Sequence, residues 1–149
     1  VIKDTSLTAK LPAALQNGGT LKVAADASYA PDEFLDTDGK TVIGMDADLA
    51  KAIGQVLGLQ VTVSNVSFDA IIPAIQDGRY DLGMSSFTDT ADREKSVDFV
   101  TYFSAGTSFY VLASDGPDIE TLADLCGHTV AVEAGTTEES DARAQAKKC

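Results

Sequence analysis

Basic residues are scarce in this chain. Eleven lysines and arginines stand against 23 aspartates and glutamates over 149 residues, a formal net charge of −12. So acidic a surface repels phosphate backbones and anionic lipid alike, which argues against nucleic acid and membrane surfaces as partners. Long apolar runs are missing too, and nothing approaches the ~20 residues a membrane helix needs. The first residues lack the basic-then-apolar pattern of a secretory leader. A mature secreted chain lacks it as well, so the compartment stays open on that point. Histidine occurs once, at His128, and cysteine twice, at Cys126 and Cys149. Cys126-Gly127-His128 is too sparse for zinc, which takes four ligands in recognisable spacing, so no metal is expected. The two cysteines leave two readings open: a disulfide in an oxidising compartment, or a pair of free thiols in a reducing one. A bridge between them would close a loop worth roughly 3 kcal/mol by the chain-entropy relation.

Catalytic signatures are also absent. Gly83-Met84-Ser85-Ser86-Phe87 lacks the second glycine of a nucleophile elbow, and no base accompanies it. Asp36-Thr37-Asp38-Gly39 opens like a calcium loop but places its glycine too early and has too few spaced acids. Neither GxGxxG nor GxxxxGKS/T occurs, and no cofactor is expected. Asp46 and Asp48 stand at a predicted helix start, where acids cap and solubilise; paired-acid catalysis would need a cleft.

What is present is a regular alternation. Apolar residues make up 44% of the chain, and a chain this long buries about two-thirds of its unfolded surface. Leu7 to Gln16 predicts a short amphipathic helix stopped by Asn17-Gly18-Gly19. Leu21 to Ala25 predicts a strand. Phe34-Leu35 and Val42-Ile43 flank the turn signal Asp38-Gly39-Lys40, a hairpin pattern. A helix capped by Asp46 runs to about Leu57, with Leu49, Ile53, Val56 and Leu57 on one face and Gly58 as its left-handed stop. Val61 and Val63 predict a strand. Asp69 caps a helix over Ala70 to Asp77, with Pro73 tolerated near its first turn and Gly78 as the stop. Asp81 to Ser85 predicts a third strand. This β-hairpin-α-β-α-β order implies parallel pairing with right-handed crossovers. Further on, Thr90 to Lys95 predicts one helical turn and Val97 to Phe99 a short apolar segment. Gly106 to Ala113 and Thr129 to Glu133 predict strands. Ile119 to Leu125 and the chain after Thr137 predict helices. A boundary falls near residue 112, because the residues beyond it supply too few layers to stand alone.

Two loops carry chemistry. Ser85 to Arg93 leaves a buried-type strand and enters a short helix, the edge at which open α/β sheets bind ligands. It offers hydroxyls, amides and one guanidinium, the parts of a carboxylate site; the alternative is a polar loop with a solvated arginine. Gly135-Thr136-Thr137 could meet an anion in the same way, or be an ordinary threonine cap. Tyr29 and Phe68 flank the same edge, as ligand walls or as core.

Read together, five motifs resemble a known family. They are Asp26-Ala27-Ser28-Tyr29-Ala30-Pro31, Gly44-Met45-Asp46-Ala47-Asp48-Leu49, Phe68-Asp69-Ala70-Ile71-Ile72-Pro73-Ala74-Ile75, Ser85 through Arg93 with Val97-Asp98-Phe99, and Ala134-Gly135-Thr136-Thr137. In this order and spacing the chain resembles the extracytoplasmic solute-binding proteins of amino-acid ABC importers. The resemblance implies an α/β, type II periplasmic-binding lobe with a mostly parallel sheet flanked by helices, over 1–111. It implies the start of a second, incomplete lobe over 112–149, with a first crossing between lobes near 105–113. It also implies roles. Arg93 clamps the ligand α-carboxylate, and Ser86 and Thr88 receive the ammonium and support the carboxylate. Thr136 and Thr137 donate from the second lobe. Phe68 and Tyr29 wall the ligand side chain, Asp26 lies near it, and Thr90 is a structural cap. A bridge between Cys126 and Cys149 is implied as well. The departures are Asp32, where many members carry phenylalanine, and the stop at Cys149, before the acid that usually fixes the ammonium.

The function implied is non-catalytic capture of a polar amino acid outside the cytoplasmic membrane and delivery to an ABC permease. The chain would be periplasmic or extracellular, in some settings lipid-anchored. A carboxylate half-site alone implies weak binding, since a buried ion pair lacking one partner is unfavourable. Two alternatives are a periplasmic dehydratase on the same fold and a chain that self-associates through residues 105–149. Asp26 and Asp32 favour a polar or basic ligand side chain.

Overall fold

The computed structural model describes residues 1–16 and 18–149, so the Asn17 part of the predicted stop lies outside the described residues. The chain divides into two compact units, Val1–Asp98 and Phe99–Cys149. The boundary read from the sequence near 112 lies within the second.

In the first unit, β1 (Thr20–Ala25) is the central strand of a parallel sheet, with β5 (Gln60–Asn65) on one side and β6 (Leu82–Gly83) on the other. Leu21 pairs with Val61 and Val23 with Val63, while Val23 and Ala24 pair with Leu82 and Gly83. Parallel neighbours need crossovers, supplied by helices α2 (Met45–Leu57) and α3 (Phe68–Gln76). Because β5 and β6 flank β1, right-handed crossovers put the two helices on opposite faces. Between β1 and α2 runs a small antiparallel meander of β2 (Ser28–Tyr29), β3 (Glu33–Leu35) and β4 (Val42–Ile43). Its tip is the expected turn. The Asp38 carboxylate accepts from the Lys40 and Thr41 amides at 2.8 Å each and from the Thr41 hydroxyl at 2.6 Å.

Several expectations shift by a residue or a turn. The first helix, α1 (Thr5–Thr8), is a single turn capped by Asp4. Pro12 ends any continuation, because it has no N–H and disfavours helical backbone before it. Leu11 and Leu15 still pack on the core beyond it. Helix α2 begins one residue ahead of Asp46, after Gly44, so Asp46 lies buried in the first turn rather than capping it. At its other end Gly58 is left-handed (φ 72°), and the Gly58 and Leu59 amides return to Gln55 and Gly54 carbonyls, as expected. In α3 the cap position is Ser67, Asp69 sits in the first turn, and Pro73 falls in the second turn rather than near the first. The strand expected over Asp81 to Ser85 is reduced to Leu82–Gly83.

The core explains the register. The α2 face laid on the sheet is small: Ala47, Ala50 and Gly54 are buried, with Leu49, Ile53 and Leu57 packed alongside. A Cβ at Gly54 would overlap the Val61 side chain. On the other face Ile71 and Ala74 of α3 are fully buried, and a Cβ at Gly83 would come 2.9 Å from Ile71 Cγ2.

The second unit contains no strand among its described residues. Neither Gly106–Ala113 nor Thr129–Glu133 forms one, and no strand of this unit offers either of them a ladder of hydrogen bonds. The strand crossing expected near 105–113 is therefore not formed, and a turn begins at Ala113. The helix expected over Ile119 to Leu125 is one 3₁₀ turn, Leu122–Leu125, closed by a Thr121–Asp124 capping box. Helix α4 (Thr137–Ala146) is capped by Thr136. Cys126 and Cys149 are joined by a disulfide with Cα atoms 5.5 Å apart, which settles the choice between bridge and free thiols. The bridge ties the end of α4 to the 3₁₀ turn.

This packing has two testable consequences. Replacing Cys126 and Cys149 together with serine should destabilise the second unit by about 3 kcal/mol. Limited proteolysis should then show faster cleavage within 99–149 while the first unit keeps its resistance. Gly44, at φ 118°, abuts the backbone of Asp32, whose carbonyl oxygen a Cβ would overlap. Gly44→Ala should therefore cost about 2 kcal/mol or more in urea denaturation.

Candidate functional site

All three strands of the parallel sheet end at one edge, and the loops there carry the residues singled out from the sequence. Asp26 follows β1 directly and is nearly buried. Its amide donates to Ser85 Oγ at 2.8 Å. Its Oδ2 accepts from the Phe68 amide at 2.8 Å, and its Oδ1 from Ser28 Oγ at 2.7 Å. Asp26 thus supplies the side-chain cap that Ser67 does not, and both its oxygens are engaged within the sheet edge. Asn65 Oδ1, at the end of β5, accepts from the Ala27 amide at 2.9 Å and completes the seam.

Beside this seam lies an aromatic and cationic cluster. Phe68 and Phe87 stack with centroids 4.1 Å apart, and Tyr29 approaches Phe68 at 6.0 Å. The Arg93 guanidinium carbon lies 5.5 Å from the Phe68 centroid and 5.0 Å from that of Phe87. Its Nη1 donates to the Thr88 carbonyl at 2.6 Å, and its amide donates to Thr90 Oγ1 at 3.2 Å, the capping role expected of Thr90. Cation–π contacts of this kind contribute about 0.5–1 kcal/mol each at exposed sites and more when desolvated. Arg93 begins a single 3₁₀ turn, and the Arg93, Glu94 and Lys95 amides are engaged by Thr90 Oγ1, the Thr90 carbonyl and the Asp92 carbonyl. Phe87 was not singled out from the sequence; an aromatic inside the polar Ser85–Arg93 loop was its signal.

Behind the loop are groups that sequence reasoning did not select. Glu33, on β3, is fully buried. Its Oε1 accepts from Ser85 Oγ at 2.9 Å, and Asp46, itself 1% exposed, is among the acids that act on it. Burial pushes the Glu33 pKa up to about 8, and the neighbouring Asp46 and Asp32 carboxylates push the same way against the Ser85 hydrogen bond. Ser86 adopts the left-handed conformation (φ 47°), with its hydroxyl 3.4 Å from both Asp32 Oδ2 and Glu33 Oε2. The structure therefore brings Asp26, Tyr29, Phe68, Ser86, Thr88 and Arg93 to one edge of the first unit.

Thr136 and Thr137 belong to the second unit. Thr136 Oγ1 accepts from the Glu139 amide at 3.1 Å and donates to the Glu133 carbonyl at 2.8 Å; Thr137 Oγ1 donates to Glu138 Oε2 at 3.0 Å. The Gly135 amide donates to Glu139 Oε2 at 2.7 Å; this bond, with Arg143, holds the Glu139 carboxyl below its usual range. Among the described residues no group of three or more His, Cys, Asp or Glu is arranged to hold a metal, and no helix is long and apolar enough to cross a membrane. A groove of about 460 Å³ lined by Thr20, Lys22, Thr62, Ser64, Arg79 and Tyr80 includes none of the selected residues.

Comparison with known proteins identifies the family and the fold. Residues 21–147 match the bacterial extracellular solute-binding proteins, family 3. The arginine-binding protein ArgT of Corynebacterium glutamicum is 36% identical over 138 residues, which is 91% of this chain and 44% of that protein. A solved ancestral arginine-binding protein bound to arginine superposes with a TM-score of 0.82 at 40% identity, over 87% of this chain and 57% of that one. A mutant of the arginine-bound form of domain 1 of the T. maritima arginine-binding protein matches with a TM-score of 0.56 at 37% identity, over 59% of this chain and 68% of that one. The chain spans about half the length of the curated relatives it matches. The fold is the α/β fold of type II periplasmic-binding proteins, and the chain belongs to the bacterial extracellular solute-binding proteins, family 3.

Proposed function

We propose that the chain is the ligand-capturing part of an ABC importer's solute-binding component, which takes a polar amino acid outside the cytoplasmic membrane and passes it to a membrane permease. In this reading 1–111 form the carboxylate lobe and 112–149 open the second lobe. The observation that carries it is the half-buried Arg93, braced on Phe68 and Phe87 at the carboxyl edge of a parallel sheet. A guanidinium fork suits a carboxylate, and bracing lowers the entropy lost when the pair forms. Arg93 takes the ligand carboxylate, and Ser86 and Thr88 take the ammonium and support the carboxylate. Tyr29, Phe68 and Phe87 wall the side chain, and Asp26 sets that wall in place. In this reading Thr136 and Thr137 are the second lobe's contribution.

Arginine leads the candidate ligands. Relatives bear its name, Asp32 stands beside Ser86, and a net charge of −12 steers cations inward. The family's extracellular description and the disulfide support a periplasmic or extracellular setting, with a lipid anchor as one form of it. Glu33, whose carboxyl burial pushes toward its neutral form, has no exposed surface and bonds to Ser85, which favours binding without turnover over the dehydratase alternative. Exposed apolar side chains at Val100, Tyr110 and Leu112 suit self-association of the second unit, which light scattering reads directly.

Calorimetry of the 149-residue chain against arginine, histidine, glutamine and glutamate tests the reading. The arginine-bound single domain of the T. maritima relative favours measurable binding by one lobe, against the weak binding expected from an unpaired half-site. Arginine should bind more tightly than glutamate, and Arg93→Ala should weaken it at least tenfold, a charge-assisted hydrogen bond contributing about 1.5–3 kcal/mol. No heat with any amino acid, or equal affinity in the variant, overturns it.

A further inference from the structure

A free amino acid carries two charges, and Arg93 answers one of them. Taking such a molecule out of water with its ammonium unmatched by an acid is unfavourable. Three acids come close to Ser86 and the aromatic cluster. Asp26 has both oxygens filled, Oδ2 by the Phe68 amide and Oδ1 by Ser28 Oγ. Glu33 has no exposed surface and receives the Ser85 hydroxyl. Asp32 differs from both. It is half-buried, and among the described residues its carboxylate meets one hydrogen-bond donor, Ser86 Oγ, at 3.4 Å from Oδ2. Good O–H···O bonds span about 2.5–3.0 Å. The same hydroxyl also lies 3.4 Å from Glu33 Oε2. Asp32 therefore shares one long contact and keeps capacity to accept more.

The place of Asp32 is fixed by its main chain. Its amide donates to the Tyr29 carbonyl at 2.8 Å, and its carbonyl accepts from the Asp46 amide at 2.9 Å. The meander and the first turn of α2 thus hold the backbone from both sides, and neither bond uses the carboxylate. Tyr29, one wall of the site, is tied to the same short turn. Ser86, the partner of Asp32 across the site, is followed directly by Phe87, which stacks on Phe68 and faces Arg93. The other acids of these loops are poorer acceptors. Asp69 and Asp89 are exposed, where water screens them, and Asp92 is engaged by Lys95 at 2.6 Å.

We propose that Asp32 is the counter-charge for the ligand's α-ammonium, acting together with Ser86, so that both charges of a captured amino acid are answered within Val1–Asp98. This assignment rests on the binding function proposed above and names the acid of that site. An ammonium has three donors, and the Asp32 and Ser86 oxygens, 3.4 Å apart, can accept from one nitrogen together. Bonds to an ionised acceptor are roughly twice as strong as neutral ones, so the carboxylate contributes the larger share and the hydroxyl the direction. The phenylalanine that many members of the family carry at this position has no acceptor, so the acid is a feature of this chain. Its charge favours arginine over glutamate at range, while the bond it makes is to the group that all amino acids share.

Asp32→Asn removes the charge with little change of shape and leaves the main-chain bonds in place. Two ligands separate the roles: L-arginine, and its 2-hydroxy analogue, which keeps the carboxylate and guanidinium and carries a hydroxyl in place of the ammonium. In calorimetry, wild type should prefer arginine to the analogue by at least about tenfold, and Asp32→Asn should bind arginine at least about tenfold more weakly. The analogue should bind both proteins within about threefold of each other, so the preference collapses in the variant. Displacement of bound arginine reads the analogue where its own heat is small. Asp32→Ser repeats the measurement if Asp32→Asn melts early. Arginine binding by Asp32→Asn at wild-type strength overturns the assignment, as does a preference that survives in the variant. A loss of analogue affinity equal to that of arginine places Asp32 on the guanidinium and overturns it too. Arg93→Ala, measured alongside, tells the two levels apart: no arginine binding by wild type, or full binding by Arg93→Ala, overturns the function itself.

Discussion

The carboxyl edge of the sheet is organised by the side chain of Asp26, which sits where β1, α3 and the loop after β6 meet. Its carboxylate ends the α3 backbone at Phe68, and its amide is received by Ser85. A charged acceptor at a helix start interacts favourably with the unpaired amides there. Here it fixes the direction in which α3 leaves the sheet and hence where the Phe68 ring lies. Phe87 and Arg93 then arrange themselves on that ring. The proposed carboxylate clamp is thus placed by an acid in its foundations.

Small residues make the remainder possible. The Ala47, Ala50 and Gly54 face lets α2 lie close on β1 and β5, and Gly83 gives Ile71 its place under α3. Close approach of this kind leaves little room to slide, because interiors packed at crystal density resist displacement. The two faces of the sheet therefore hold their helices in fixed register, and the loops at its edge inherit that precision.

The parallel β-α-β-α-β alternation was legible because Val61, Val63 and the glycine stops punctuate it, and local rules are strong where apolar period and turn chemistry agree. Helix starts were less so. Asp46 and Asp69 look like caps by type, yet Gly44 and Ser67 hold those positions, and the cap for α3 comes from Asp26, 42 residues away. No local rule sees a partner that distant. Glu33 was illegible for a related reason, because an acid inside a hairpin reads as solvated until the element that covers it is known. In the second unit, alternating side chains at 106–113 and 129–133 predicted strands that lack neighbours to pair with, and strand pattern is only half of a ladder. The cluster at Arg93 was readable from its loop, while its stacking on two phenylalanines required the fold.

The shortness of β6 has one more effect. Only Leu82 and Gly83 are paired with β1, with the Met84 amide reaching Ala24 just beyond. The segment from Ser85 to Thr88 is thus fastened by hydroxyls and rings instead of by main-chain rungs. Substitutions among those side chains can reshape this edge while leaving the sheet threaded as before, so its surface can vary without a change of fold.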